Sequence, residues 1–234
     1  MGILLVIPAR GGSKGIPLKN IHKINGKPLI QYTIDFAKAL PFKKDIFVST
    51  DNRQIANTVI DLGVACPFLR PPQLSTDYIG DMHVLRHSLI EFEKFHNRTY
   101  ELVIMLQPTS PIRFENQVTS AINKISNNPF DSVISVSQIP VNYHALKQFK
   151  LTGDKLTPFT AESKQVYARQ QLERSYIRNG VVYIFKPSFI LNSDSVFSDN
   201  TGYLVTNEKY VNIDSYADVD EFQKYLFDKE IKQI

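Results

Sequence analysis

Four short apolar and β-branched runs, Ile3 to Ile7, Asp45 to Thr50, Leu102 to Leu106 and Asp131 to Val136, are separated by amphipathic segments of helical length. Three of those segments stand out, at Pro28 to Leu40, Gln54 to Leu62 and Asp81 to Phe95. Ile30, Ile34 and Ala37 keep helical spacing in the first, and Val84, His87, Leu89 and Phe92 suit a half-buried helix in the last. Strands that are apolar throughout have no solvent face. The alternation therefore predicts an α/β fold whose central sheet is mostly parallel and flanked by helices.

From about Pro140 the rhythm breaks, and residues 140 to 178 are polar, with no clean helical period. The core resumes with a strand at Gly180 to Phe185, and Ser215 to Ile231 reads as a closing helix with Val219, Phe222, Leu226 and Ile231 apolar. There is no internal repeat and no linker rich in Gly or Ser. The expectation is one domain, 1 to 234, carrying an inserted region at about 140 to 178.

Composition narrows the function classes. A 43% hydrophobic content in 234 residues suffices for a buried core, which sets aside disordered and fibrous readings. The formal charge of +4, with bases scattered along the chain, favours small anionic ligands over nucleic acid. Cys66 is the single cysteine, so no internal disulfide framework exists and a reducing cytoplasm is expected. No apolar stretch approaches the ~20 residues that span a bilayer, and the start MGILLVIPARGG lacks the basic region of a signal peptide.

In a parallel sheet, ligands sit beyond the carboxyl ends of the strands. Three segments fall there: PARGGSKGIPLKN at 8 to 20, STDN at 49 to 52 and QPTSPIR at 107 to 113. In the first, adjacent glycines let backbone N–H groups turn inward as an anion nest, and Arg10, Lys14 and Lys19 add full charges. Such a loop suits a polyphosphate; the alternative is a surface turn whose bases face water. It is not a P-loop, because the lysine precedes Gly15 and is followed by Ile16 and Pro17. Nor is it a dinucleotide fingerprint, because Pro17 blocks early helix entry.

Seven ordered blocks carry a family resemblance: IPARGGSKGIPLKNI, GKPLIQYTI, VSTDNRQIA, FLRPPQLSTD, LQPTSPIR, RNGVVYIF and NIDSYADVD. The match runs in the same order from residue 3 to about 222. The chain resembles the acylneuraminate cytidylyltransferases, or CMP-sialic acid synthetases, and more distantly the CMP-Kdo synthetases. The resemblance implies a Rossmann-like nucleotidyltransferase fold that joins CTP to a nonulosonic acid, with Mg²⁺ or Mn²⁺, giving the CMP-sugar and pyrophosphate. It implies a homodimer in which the region after residue 140 reaches toward the partner, and capsule or lipopolysaccharide decoration as the product's destination.

Carried over by position, Arg10, Ser13, Lys14, Lys19 and Asn20 match the family's loop for the triphosphate and part of the nucleoside, and Arg70 matches an arginine near the nucleotide. Gln107, Thr109 and Ser110 match a block facing the sugar acid, and Arg169, Gln170, Tyr176 and Asn179 match the rest of the sugar pocket. Which of Arg169, Arg174 and Arg178 would pair with the sugar carboxylate stays open. Asp81 reads equally as a helix cap and stays outside the site.

The family's metal motif is Asp-x-Asp, and this chain has Asn212-Ile213-Asp214 with Asp218 beyond. Strand alternation would put the side chains of Asn212 and Asp214 on one face, with Asp214 as the main metal ligand and Asn212 removing one negative charge. Helix capping is the alternative role for Asp214 and Asp218. Catalysis rests on Lys14, Arg10 and Asp214, and the general base is unassigned. His83 and His87, at i and i+4, lack an accompanying ligand set and read as helix residues. Rival readings are the same chemistry on legionaminic acid, 8-amino-Kdo or Kdo, and a non-catalytic nucleotide-sugar binding protein.

Overall fold

The computed structural model describes residues 1–165 and 168–231. Along the chain lie β1 (Ile3–Pro8), β2 (Lys23–Ile24), β3 (Lys27–Pro28), α1 (Leu29–Ala39), β4 (Asp45–Ser49), α2 (Arg53–Asp61), α3 (Asp81–His96) and β5 (Leu102–Met105). Then follow α4 (Glu115–Ser126), β6 (Ser132–Gln138), β7 (Phe149–Thr152), β8 (Lys155–Pro158), β9 (Tyr176–Phe185), α5 (Pro187–Asn192), β10 (Thr201–Val205) and α6 (Tyr216–Ile231).

Six strands form the central sheet in the order β10-β6-β9-β5-β1-β4. β1 runs parallel to β4 and β5, and β10 runs parallel to β6, while β9 lies antiparallel between β5 and β6. The sheet is mostly parallel, as the apolar runs predict.

Alternation along β1 explains the two layers. Ile3, Leu5 and Ile7 pack with Ile30 and Ile34 of α1, Ile55 and Val59 of α2, and Val118 and Ile122 of α4. Leu4 and Val6 face the opposite layer, with Met82, Leu85, Leu89 and Phe92 of α3 and Ile190 of α5. Each such side chain contributes about 1.5–3 kcal/mol on burial, so no polar residue is tolerated on either face of β1. A third cluster matters most for function: Ile16, from the loop after β1, packs with Ile213, Val219 and Phe222 around the start of α6. Ile16 and Ile213 are fully buried, which clamps the N-terminal loop to the C-terminal segment.

Between β6 and β9 the chain leaves the sheet, forming short turns and the antiparallel hairpin β7–β8. On and beside this hairpin Phe149, Leu151, Leu156 and Phe159 are exposed. β9 begins at Tyr176 rather than at Gly180. Its first residues pair with Gln138, Ser137 and Val136 of β6 yet leave their side chains in solvent, so no apolar run announces them. No described helix is long and apolar enough to cross a membrane.

Candidate active site

The loop after β1 crosses the carboxyl end of the sheet and is held from several sides. Ala9 N donates to Ser49 O and Gly11 N to Asp51 Oδ1, both at 2.9 Å. The buried Asn20 donates through Nδ2 to Arg10 O at 2.9 Å, so this predicted ligand braces the loop from within. At Gly15 a Cβ would collide with the Asp214 carbonyl oxygen. Only glycine lets the loop press this closely on the segment before α6.

The loop opens onto a cavity of about 510 Å³. Of the predicted residues, Arg10, Ser13, Lys14, Lys19, Asn20, Arg70, Gln107, Thr109, Asn212 and Asp214 all line it. Sequence separations of about two hundred residues are thus brought to one cleft. Arg70 is buried at 4% exposure, which sets aside a solvated role. Its Nε donates to Ser75 Oγ at 3.0 Å and its Nη2 faces Asp51 Oδ1 at 3.9 Å. Burial lowers the affinity of this guanidinium for its proton, with Asp51 opposing that shift.

Every cation of the loop is paired. Arg10 Nη2 and Lys14 Nζ take opposite oxygens of Asp77, at 3.0 and 2.6 Å, and Arg10 Nη1 also donates to Thr76 O at 3.1 Å. The Lys14 hydrogen bond, opposed by desolvation and aided by the charges of Lys14 and Arg10, holds the Asp77 carboxyl below its ordinary value. Lys19 Nζ donates to Asp214 Oδ1 and to Ile213 O, each at 2.7 Å.

Residues 212 to 214 are irregular backbone rather than a strand. Asn212 and Asp214 still meet, because Asn212 Nδ2 donates to Asp214 Oδ2 at 2.6 Å. Asp218 caps α6: its Oδ2 accepts from Asp214 N at 3.0 Å and from Ser215 N and Ser215 Oγ at 2.8 Å. Burial works against its charge, but those bonds hold the Asp218 carboxyl below its usual range. The capping alternative thus applies to Asp218, while Asp214 faces the cleft.

A second cavity, of about 410 Å³, adjoins the first and shares Asp81, Gln107 and Asn212 with it. Ile177, Arg178, Asn179, Gly180, Tyr183 and Tyr210 complete it. Gly180 adopts φ +70°, and a Cβ there would strike Gln107 Oε1 and Ser110 Oγ. Ser110 Oγ donates to Asn179 O at 2.7 Å. The Asn179 carboxamide faces the protein instead: it accepts from Ser135 Oγ at 2.6 Å and donates to Ser137 Oγ and Thr206 Oγ1 at 2.8 and 2.6 Å.

Beneath the junction lies Arg113, which no sequence reasoning singled out. Its guanidinium donates to Val181 O at 2.7 Å, Thr33 Oγ1 at 2.9 Å, Gly180 O at 3.2 Å and Gln107 O. With only neutral acceptors, burial pushes it down to about 9. It staples the Gln107 loop to β9. Asp81, read from the sequence as a possible helix cap and left outside the site, is not the cap: Gly80 is the N-cap of α3, with no side-chain cap, and Asp81 opens the first turn between the two cavities. Arg169 and Gln170 lie exposed in the inserted region, and neither they nor Tyr176 line either cavity.

A basic, glycine-dependent loop at the carboxyl ends of a mostly parallel sheet, with a second pocket alongside, defines a nucleotidyltransferase. The chain belongs to the cytidylyltransferase family, whose model matches residues 4–233. It is 33% identical over 222 residues to a CMP-N,N'-diacetyllegionaminic acid synthase of Legionella pneumophila, covering 94% of this chain and 93% of that protein. It is 31% identical over 227 residues to an N-acylneuraminate cytidylyltransferase of Streptococcus agalactiae serotype V, covering 96% of this chain and 53% of that one. Among solved structures, a CMP:2-keto-3-deoxy-manno-octonic acid synthetase complexed with CTP superposes with a TM-score of 0.72 over 98% of this chain and 100% of its own, at 16% identity. That likeness establishes the Rossmann-like fold.

Proposed function

We propose that this chain joins CTP to a nonulosonic acid of the sialic or legionaminic type, releasing pyrophosphate and forming the CMP-sugar. The observation that carries this reading is the adjacency of two cavities of about 510 and 410 Å³, one ringed by Arg10, Lys14 and Lys19 and the other by polar groups around Gln107. The names of the two relatives support the substrate class. Triphosphate in the basic cavity takes over Arg10 and Lys14 from Asp77. These cations then face charge that builds on the departing pyrophosphate, and the rigid loop holds the α-phosphorus toward the second cavity.

The cleft's oxygen donors suit Mg²⁺ or Mn²⁺: Asp214 and the Asn212 carbonyl would hold the ion together with phosphate oxygens. Among the described residues no three His, Cys, Asp or Glu converge as a cage, and phosphate oxygens of the nucleotide would supply further ligands. The ion would neutralise charge on the phosphates. We assign the apolar side chains of the β7–β8 hairpin to a homodimer contact, with Arg169 and Gln170 presented toward a partner's sugar pocket. The single cysteine is in keeping with the cytoplasm as the setting.

Pyrophosphate release from CTP, ATP, GTP and UTP across a panel of N-acetylneuraminic acid, diacetyllegionaminic acid and Kdo tests the reading. CTP-dependent release with at least one acceptor is expected. Tight CTP binding with no turnover on any acceptor would replace it with a binding function.

A further inference from the structure

The proposed reaction needs a group to accept the proton of the attacking hydroxyl. Three carboxylates line the first cavity: Asp77, Asp81 and Asp214. Two of them are committed elsewhere. Asp77 holds Arg10 on one oxygen and Lys14 on the other. Asp214 holds Lys19 on Oδ1 and accepts from Asn212 on Oδ2.

Asp81 differs. Among the described residues its half-buried carboxylate takes part in no hydrogen bond or ion pair. Burial therefore raises its affinity for a proton, and Arg178 opposes that only through space. The half-buried carboxylate opens on the cavities, where a ligand would complete its bonding. Its position is also singular, because among the described residues it is the one acid lining both cavities. The backbone beneath it belongs to α3, whose Met82 and Leu85 are fully buried, so the carboxylate is placed on a rigid element.

Resting on the cytidylyltransferase reading above, we propose that Asp81 is the general base of the reaction. The attacking oxygen has to lie where the nucleotide and sugar cavities meet, and among the described residues Asp81 is the unpaired carboxylate at that boundary. In the step, the sugar O–H bond breaks and its proton passes to an Asp81 carboxylate oxygen. The freed electron pair forms the new O–P bond at the α-phosphorus of CTP. The bond from that phosphorus to the bridging oxygen breaks, and its electrons leave with pyrophosphate.

The experiment compares the parent enzyme with Asp81→Asn, an isosteric change, and with Asp81→Ser, reading steady-state pyrophosphate release, CTP binding by calorimetry and thermal melting. For both variants the expectation is a kcat lower by about 10²–10⁴-fold with the Kd for CTP unchanged. Removing a half-buried, unpartnered charge is expected to leave the melting temperature of Asp81→Asn equal to or slightly above that of the parent. A merely structural Asp81 would instead lower it. A kcat within threefold of the parent, or a loss confined to the KM for the sugar, overturns the assignment. Absence of turnover by the parent on every sugar acid removes the underlying reading and this proposal with it, an outcome distinct from an active parent with active variants.

Discussion

Asn212 donates its side-chain amide to Asp214 Oδ2 at 2.6 Å. The neighbour of the proposed metal ligand is therefore a hydrogen-bond donor rather than a second anion. Asn212→Asp removes that donor and sets two carboxylates against each other, a conflict that a divalent cation relieves. The Mg²⁺ concentration giving half-maximal rate is expected to fall several-fold. An unchanged requirement would show that Asn212 does not tune the cation site.

Gly15 is fixed by the Asp214 carbonyl oxygen, which leaves no room for a methyl group. Gly15→Ala should push the loop off the segment before α6 and separate Lys19 from Asp214. The expected result is a kcat/KM reduced by at least about tenfold, since small displacements of positioning groups cost this much or more. A variant with full activity would mean that the contact is incidental.

Lys14 and Asp77 form a pair whose halves are expected to act oppositely. Lys14→Ala should lower kcat/KM by about 10²–10³, the usual cost of one preorganised charge-stabilising group. Asp77→Asn removes a rival for the phosphate cations and should lower the KM for CTP by about two- to fivefold, the scale of an exposed ion pair. Because the Asp77 carboxyl is held below its ordinary value, it stays ionised at neutral pH. The difference from the parent should thus be constant from about pH 7 to 9 and shrink only in acid well below the usual carboxylate pKa of about 4. A rise in KM for Asp77→Asn would make that carboxylate a positioning group instead.

Leu151 and Leu156 face each other across the hairpin and are 81% and 63% exposed. Leu151→Asp combined with Leu156→Asp should convert a particle of twice the 26.7 kDa chain mass into monomer by light scattering. If Arg169 and Gln170 act on the partner's site, the monomer should also lose affinity for the sugar acid while keeping that for CTP. A double variant that remains dimeric would place the contact elsewhere.

The sheet was legible because β1, β4, β5 and β6 are buried on both faces, leaving runs that no helix pattern mimics. α4 escaped notice because its apolar residues, Val118, Ala121, Ile122 and Ile125, are diluted by polar neighbours, and even Gln117 is buried against Glu208 at 2.9 Å. β10 is a short strand, TGYLV, with a single buried residue. The phosphate loop was legible as local chemistry, since glycines and bases lie close in sequence. The junction was not. Arg113 gains its role from four acceptors on three segments, and Asp81 from two cavities that exist only once α3, β9 and the 212–214 segment meet. Asn179, expected to face the sugar, turns its carboxamide toward Ser135, Ser137 and Thr206, a choice made by a buried polar network that no local pattern encodes.

The most direct measurement is a crystal structure of the protein soaked with CTP and Mg²⁺. The account expects triphosphate density bounded by Arg10, Lys14 and Lys19, with Asp77 released from its two cations and the α-phosphorus turned toward Asp81. Nucleotide density remote from the loop after β1, with the Asp77 pairs intact, would contradict it.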